Sequence, residues 1–431
     1  MTGRAGPGLG LALSGGGDST ALLLALRAAA PDLTLYAYIV DHGLRPESAD
    51  EARRTAALAD SHGALVRMLH WDAPRPGQGH ARTARHRLLA EACRRDAVST
   101  LCLAHTLDDR IETLRMRAAR DGPQASLAGP GMLDPSPVWP EGRDLAIARP
   151  FLDLTRETLR AFLRARGADW IEDPSNIDPA YERVRLRQAP ISPSAAQSLL
   201  DRSDAARRAR AMEDAAALAL ITSGARFTGW GGAILDPGAF TSEDTGSAPP
   251  EAARAFQTLV MAISGCPAPP TPALVRAGLD ALQAGRSWTG AGALLTAAGV
   301  LGRDPGAAGR ADGVGAPRLS LEGAQTGVFD GRFEITGPAQ IEMLGDHRPE
   351  GTRLGGVPGA FRTTLPHDAF TGAVLAGPES MTRSETRLLC DARIAARLMA
   401  LKPSAWFDAV SAGARACAAL AKPSARSNIV S

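Results

Sequence analysis

The sequence predicts an α/β fold: a doubly wound parallel sheet, then a helical domain, then a small α+β domain. Three observations lead there. Strand-like apolar runs alternate with helical patterns through the first part of the chain. A Gly-rich loop joins the first strand to the first helix. Polar clusters recur where strands end, which is where open α/β sheets bind ligands.

The elements follow in order. Leu9-Gly10-Leu11-Ala12-Leu13 reads as a buried strand, and Ala21-Leu22-Leu23-Leu24-Ala25-Leu26 as the helix after it. Pro31 stops that helix, and Leu33 to Val40 is a second strand. Glu47 to His62 is helical and Ala64 to Trp71 a third strand. His80 to Asp96 is an Arg-rich helix, Val98 to Ala104 a fourth strand and Leu107 to Ala119 a helix. Leu145 to Ala148 is a short fifth strand. Asp121 to Asp144 is rich in Gly and Pro with little periodicity, and reads as a long mobile loop. Thr155 to Arg166 is a helix with Thr155 as its N-cap. Near Pro190 the pattern changes to an Ala-rich helix, Ser194 to Ile221, with further helices at Pro250 to Ser264 and Thr271 to Ala284. Gly302 to Pro317 reads as a linker. Phe329 to Ile335 is strand-like, and the chain ends helical. The expected domains are residues 1–192, 193–301 and 318–431.

Composition narrows the function. Hydrophobic residues make up 45% of 431, enough for sizeable cores. The net charge of +2 provides no global attraction to nucleic acid, so an RNA site must be a local basic patch. The five cysteines are widely spaced and form no C-x-x-C pair, which argues against a zinc ribbon, an iron–sulfur site or a disulfide framework. Cys93 and Cys102 fall in apolar patterns that suit core packing. The N-terminal segment lacks a signal-peptide layout and no apolar run approaches a membrane span, so a soluble cytoplasmic protein without membrane contact is expected.

Ser14-Gly15-Gly16-Gly17-Asp18-Ser19-Thr20 is the most informative stretch. Its glycines let backbone N–H groups approach a phosphate, and the following helix adds its partial positive charge. The loop is not a Walker A motif, because the only lysines are Lys402 and Lys422. Asp18 fits poorly against bare phosphate. It fits better as a Mg²⁺ ligand, or as an acid that orders the loop.

Two other strand ends carry polar clusters. In Asp41-His42-Gly43-Leu44-Arg45, Asp41 can read a base or ribose and Arg45 can meet a phosphate; an ordinary Gly turn is the alternative. In His105-Thr106-Leu107-Asp108-Asp109, one carboxylate can face the site to hold Mg²⁺ or an ammonium, or to act as a base. His105 can be a general base or a donor to developing charge. Equally, both acids suit a helix N-terminus. A third group comprises Arg149-Pro150, Trp170 to Asn176 and the arm around Tyr181, Arg183, Arg185 and Arg187. Its arginines suit phosphate contacts or a solvated face, and its aromatics suit base stacking or packing.

The pattern S-G-G-x-D-S resembles the loop of ATP pyrophosphatases, and together the motifs resemble the tRNA(Ile)-lysidine synthase family over roughly residues 9–188. The resembling motifs are the loop, V-D-H-G-L-R, H-x-x-D-D-x-x-E-T through Thr113, R-P, and D-P-S-N with its Arg-rich arm. The resemblance implies a ligase that adenylates the carbon 2 oxygen of the wobble cytidine in a CAU-anticodon isoleucine tRNA. The ε-amine of free lysine then displaces AMP. It implies that Ser14, Gly15, Gly16, Gly17, Asp18 and Ser19 bind the pyrophosphate of ATP, that Asp18 places Mg²⁺ and that Asp41 lies near the nucleotide. His105, Asp108 and Asp109, with Asp18, are then the catalytic group, and Arg45, Arg149, Arg183 and Arg187 the tRNA contacts. The oligomeric state stays open, with a homodimer as one option.

Three positions depart from the family pattern. Arg110 replaces Gln, Val184 replaces Asn, and Arg120-Asp121-Gly122-Pro123 replaces R-G-S/T-G. Among rivals, thiouridine synthases rely on paired cysteines that this chain lacks. An asparagine synthetase needs an N-terminal Cys where Thr2 stands. A non-catalytic nucleotide-binding module explains the loop but not Asp173-Pro174-Ser175-Asn176 or the long C-terminal half.

Overall fold

The computed structural model describes residues 8–41, 43, 48–71, 78–120, 127–172, 182–241, 248–308, 317–347, 354, 356–375 and 386–398. They form two compact units, one up to Arg210 and one from Ala211 to Ala400.

The first unit is built on a six-stranded sheet. Its strands are β1 (Leu9–Ala12), β2 (Leu35–Asp41), β3 (Leu65–His70), β4 (Thr100–Cys102), β5 (Leu133–Pro135) and β6 (Ala146–Ala148). The spatial order is β3-β2-β1-β4-β6-β5. Five strands are parallel, and β5 pairs antiparallel with β6 at the edge. The helices are α1 (Gly17–Ala29), α2 (Ser48–Ser61), α3 (Gln78–Arg95), α4 (Leu107–Ala118), α5 (Arg156–Arg164), α6 (Glu182–Gln188) and α7 (Pro193–Gly224). The unit boundary falls within α7.

Central strands of a parallel sheet are covered on both faces, so they read as continuous apolar runs. Leu9 and Leu11 are fully buried, as are Ala37, Leu101 and Ile147. One face packs Leu22, Leu23 and Leu26 of α1 with Leu159, Phe162 and Leu163 of α5. The other packs Leu89, Ala92 and Cys93 of α3 against Tyr38, Leu101 and Ile147. The order reverses between β1 and β4, so their carboxyl ends flank the crevice where such sheets bind ligands.

The segment expected to be a mobile loop, Asp121 to Asp144, is corrected over its described part. Leu133–Pro135 is the edge strand β5, and Val138 and Trp139 are buried. The Gly and Pro content masked a strand that is short and pairs on one side only.

The second unit holds a five-stranded antiparallel sheet. Its strands β7 (Ala225–Phe227), β8 (Ala233–Leu235), β9 (Trp288–Gly290), β10 (Ala293–Leu295) and β11 (Val300–Arg303) run in the order β7-β8-β11-β10-β9. Helices α8 (Ala252–Ser264) and α9 (Pro272–Gln283) match the expected ones. The sheet was not foreseen, because strands of three or four residues carry too little alternation to register. The same shortness splits the strand expected at Phe329 to Ile335. Asp330 and Gly331 have φ of 50° and 66° and turn the chain between Thr326–Phe329 and Phe333–Thr336. Asp-Gly is the sequence signature of that hairpin.

Two buried arginines of this unit are paired with acids. Arg254 Nε donates to Asp214 Oδ1 at 2.7 Å, with both side chains at most 4% exposed. Arg332, 1% exposed, donates from Nε to Asp330 Oδ2 and from a terminal nitrogen to the Thr364 carbonyl. Removing one partner strands the other charge. Arg254→Ala is therefore expected to lower stability by about 3–5 kcal/mol, read by urea unfolding of the full chain. An unchanged midpoint would mean that the pair contributes nothing net.

Candidate active site

The loop after β1 is held open by its glycines. Gly15 has φ of +80°, and a Cβ there would lie 2.3 Å from Thr55 Oγ1 and 2.9 Å from Ile171 Cδ1. Ile171 N donates to the Gly15 carbonyl at 2.9 Å, so the chain after α5 laps the loop. Ser14 and Ser19 hydroxyls lie 3.1 Å apart, and Ser19 Oγ donates to the Gly16 carbonyl. The N-cap of α1 is Gly16, with no side chain closing the helix end. The first N–H groups of α1 thus stay available for an anion.

The loop opens into a cavity of about 520 Å³. Ser14, Gly16, Gly17, Asp18 and Ser19 line it, with His105, Asp109, Arg156, Arg160, Trp170 and Arg187. The expected loop residues, His105, Asp109 and Arg187 are therefore brought together.

Arg156, the first residue of α5, ties this wall together, and sequence reasoning gave it no role. Its Nε lies 3.4 Å from Asp18 Oδ2. Its two terminal nitrogens lie 2.5 Å from Asp109 Oδ1 and 2.8 Å from Glu112 Oε1. One planar guanidinium thus meets three carboxylates from two helices, a task that needs its fork of donors. Arg187 Nε adds a 2.9 Å bond to Glu112 Oε1. A signal was present: Arg156 follows the N-cap Thr155, whose Oγ1 accepts from Thr158 N. A basic residue in the first turn opposes the helix dipole, so its presence there calls for acidic partners elsewhere.

The two adjacent acids divide as their spacing requires. Asp109 faces the cavity. Its Oδ2 accepts from Thr106 N and Thr106 Oγ1 at 2.9 Å, completing a capping box on α4, and its Oδ1 meets Arg156. Asp108 turns to the entry of α5, where its Oδ2 accepts from Arg156 N at 2.8 Å. Asp108 thus acts on the backbone of the arginine that the other acids hold.

Charge states follow from burial and partners. Burial raises the pKa of Asp18 above the usual carboxylate range; Arg156 opposes this and nearby Asp109 adds to it. For Asp109, burial also pushes upward, but Arg156, the Thr106 bonds and His105 outweigh it and hold the group below that range. Burial and the charge of Arg149 push the His105 imidazole well down, so it is neutral near pH 7. Arg149 Nε donates to His105 Nδ1 at 3.2 Å, which leaves the ring proton on Nε2.

Other expected site residues lie elsewhere or have other partners. Arg149 is 6% exposed and its guanidinium bonds Asp134 and the Gly131 carbonyl as well as His105, so burial keeps it from a polyanion in this structure. Asp41 Oδ1 accepts from Gly43 N and Ser48 Oγ, closing the turn after β2. Trp170 packs against Gly17 and Trp170 Nε1 donates to Glu172. Arg110, the departure from the family pattern, is buried and paired with Asp153 and Asp204. Arg45, Asp173 to Asn176, Tyr181 and the side chain of Arg183 lie outside the described residues.

Among the described residues no cluster of three His, Cys, Asp or Glu is arranged to hold a metal, and no helix is long and apolar enough to cross a membrane.

Comparisons with known proteins agree with the loop and its surroundings. The model of the PP-loop domain family matches residues 4–193. A tRNA(Ile)-lysidine synthase from Hyphomonas neptunium is 38% identical over 266 residues, covering 61% of this chain and 70% of that protein. One from Mesorhizobium japonicum is 44% identical over 195 residues, covering 43% of this chain and only 42% of its own length. Among solved structures, the U34-tRNA thiolase NcsA from Methanococcus maripaludis aligns at a TM-score of 0.40 and 14% identity, over 48% of this chain and 72% of that one, too distant to add to the argument. The identity to the Hyphomonas protein, sustained over more than two thirds of its length, decides the assignment: the chain belongs to the tRNA(Ile)-lysidine synthase family, PP-loop ligases that form lysidine in tRNA.

Proposed function

We propose that this chain ligates free lysine to carbon 2 of the wobble cytidine in a CAU-anticodon isoleucine tRNA, at the expense of ATP. The observation that carries the reading is one cavity with two chemistries. An anion-binding loop opens beside three carboxylates that already grip a cationic side chain. The first suits the pyrophosphate end of ATP. The second suits the ammonium end of lysine.

The reaction runs in two steps. The cytidine O2 attacks the α-phosphorus, the bond to the bridging oxygen breaks, and pyrophosphate leaves into the loop of Ser14 to Ser19. The lysine amine then attacks carbon 2 and AMP leaves with the C–O bonding electrons. The amine attacks only as the free base, so its ammonium must first lose a proton. Asp109, anionic and facing the cavity, takes it, while Asp18 is left to the Mg²⁺ that ATP carries. His105 is neutral with its proton on Nε2, so it serves as a hydrogen-bond donor to charge developing on the base or phosphate.

The residues present fit Mg²⁺ carried in with ATP rather than a resident ion. Asp18 is a single carboxylate beside the loop, and such ions commonly take one or two carboxylates plus phosphate oxygens. When bound, the ion would neutralise charge on the departing pyrophosphate. Arg187 lines the cavity and suits an RNA phosphate there; Arg45 and Arg183 are further tRNA contacts on the sequence motifs alone. ATP, lysine and tRNA are all cytoplasmic, so the enzyme is placed there.

Labelled lysine should enter tRNA of the source organism only when ATP is present, with AMP released in step. Folded protein that incorporates no label would sink the proposal. Asp18→Ala should abolish incorporation while tRNA binding survives; equal loss of both would make Asp18 structural. Arg156→Gln should cost about 3–5 kcal/mol in urea unfolding, because it leaves buried carboxylates uncompensated, and Arg156→Lys less. Equal costs for the two variants would show that fork geometry, not charge, is what matters.

A further inference from the structure

A polyanion at the phosphate loop favours positive charge, and the loop carries none of its own. Its donors are backbone N–H groups and hydroxyls, it holds no lysine, and its one charged side chain, Asp18, is an acid. The cation that a Walker A lysine provides elsewhere must come from another part of the wall.

Among the described residues, four arginines line the cavity: Arg85, Arg156, Arg160 and Arg187. Arg156 is taken up by Asp18, Asp109 and Glu112, and Arg187 is held by Glu112. Arg85 rises from α3, on the opposite face of the sheet from α1. Arg160 stands on α5, whose Leu159 and Leu163 share a core with Leu22 and Leu23 of α1. It follows Arg156 by four residues and so lies on the same helix face. Its Cα–Cβ bond leans back toward the helix start, where Arg156 meets Asp18. The charge of Arg160 is felt at Asp18, where it opposes the effect of burial.

Arg160 is held only loosely. A terminal nitrogen lies 3.9 Å from Glu172 Oε1, and the two side chains are 47% and 72% exposed. Such a long, wet ion pair is weak. Glu172 itself is fixed in place over the loop. Trp170 Nε1 donates to Glu172 Oε1 at 3.0 Å, Trp170 packs against Gly17, and Ile171 N bonds the Gly15 carbonyl. A long cationic side chain is thus parked beside the loop on a partner that a stronger anion can displace.

We propose that Arg160 binds the terminal phosphates of ATP and the pyrophosphate formed from them, and that Glu172 holds it beside the loop while the loop is empty. The proposal rests on the reading that ATP is cut here to AMP and pyrophosphate. The guanidinium fork matches two phosphate oxygens at once. An RNA phosphate is the other anion at hand, but the place of Arg160 next to Asp18 and the strap over the loop favours the polyphosphate.

The test measures binding of inorganic pyrophosphate, with Mg²⁺, to the full chain by calorimetry. Urea unfolding serves as the folding control. Arg160→Gln should weaken pyrophosphate binding about ten- to hundredfold, the loss of a charge-assisted contact, and Arg160→Lys less. Binding of AMP, which lacks the terminal phosphates, should hardly change. Glu172→Gln keeps an acceptor for Trp170 but removes the competing charge, so it should tighten pyrophosphate binding about twofold to fivefold. In the lysine incorporation assay Arg160→Gln should raise KM for ATP and leave KM for tRNA in place. Equal pyrophosphate binding by wild type and Arg160→Gln overturns the proposal, as does a wild-type chain that binds none. An equal loss for AMP overturns the placement at the terminal phosphates. A rise in KM for tRNA with pyrophosphate binding unchanged assigns the arginine to RNA instead. Unchanged or weaker binding by Glu172→Gln overturns the holding role of Glu172. A wild-type chain that incorporates no lysine, yet loses pyrophosphate binding with Arg160→Gln, counts against the proposed function and supports this inference.

Discussion

The carboxylates of this site cannot be gathered without a countercharge, and Arg156 supplies it. Asp18 comes from the first helix of the sheet domain, and Asp109 and Glu112 from the fourth. Brought together in a half-enclosed cavity without a cation, they would repel one another and take up protons. The guanidinium meets all three, and Asp108 anchors its backbone. The three carboxylates thus make a place shaped for a cation. The pocket's chemistry is thus visible before any ligand is bound.

A second layer of pairing holds the polar groups that face the cavity. Arg149 bonds His105 on one side and Asp134 of the edge strand on the other. It therefore sets the ring's tautomer and adds to the burial that keeps the ring neutral. Arg207 reaches the Gly129 carbonyl and Asp134 from α7. Arg110 sits where the family has an amide, and its buried charge is answered by Asp153 and Asp204. Nearly all of the chain's basic residues are arginines, and many of them serve here as bridges between elements rather than as exposed charge. That explains how a chain of near-neutral balance can carry so many cations inside its catalytic unit.

The phosphate loop was legible because its chemistry is local. Gly15, Gly16 and Gly17 are adjacent, and strand, turn and helix follow within a few residues. Asp108 and Asp109 were legible as a pair, but their division of labour was not. It depends on α5 crossing the end of α4, which places one acid at a backbone N–H and the other at a side chain. The burial of Arg149 against His105 and Asp134 was not legible, because exposed and buried arginines read alike in a sequence. Short strands such as Ala233–Leu235 and Leu133–Pro135 escaped because three residues hold no measurable period.

Sequence alone determined the alternation of strands and helices in the first unit, the anion-binding turn and the family to which the motifs belong. Those features rest on backbone hydrogen bonding and side-chain periodicity over short stretches. Only the tertiary structure decided that Arg156 gathers Asp18, Asp109 and Glu112, and that burial together with Arg149 keeps His105 neutral. These are contacts between segments far apart in the chain. The crossing of elements over the sheet brings them within reach, and burial then gives each charge its strength.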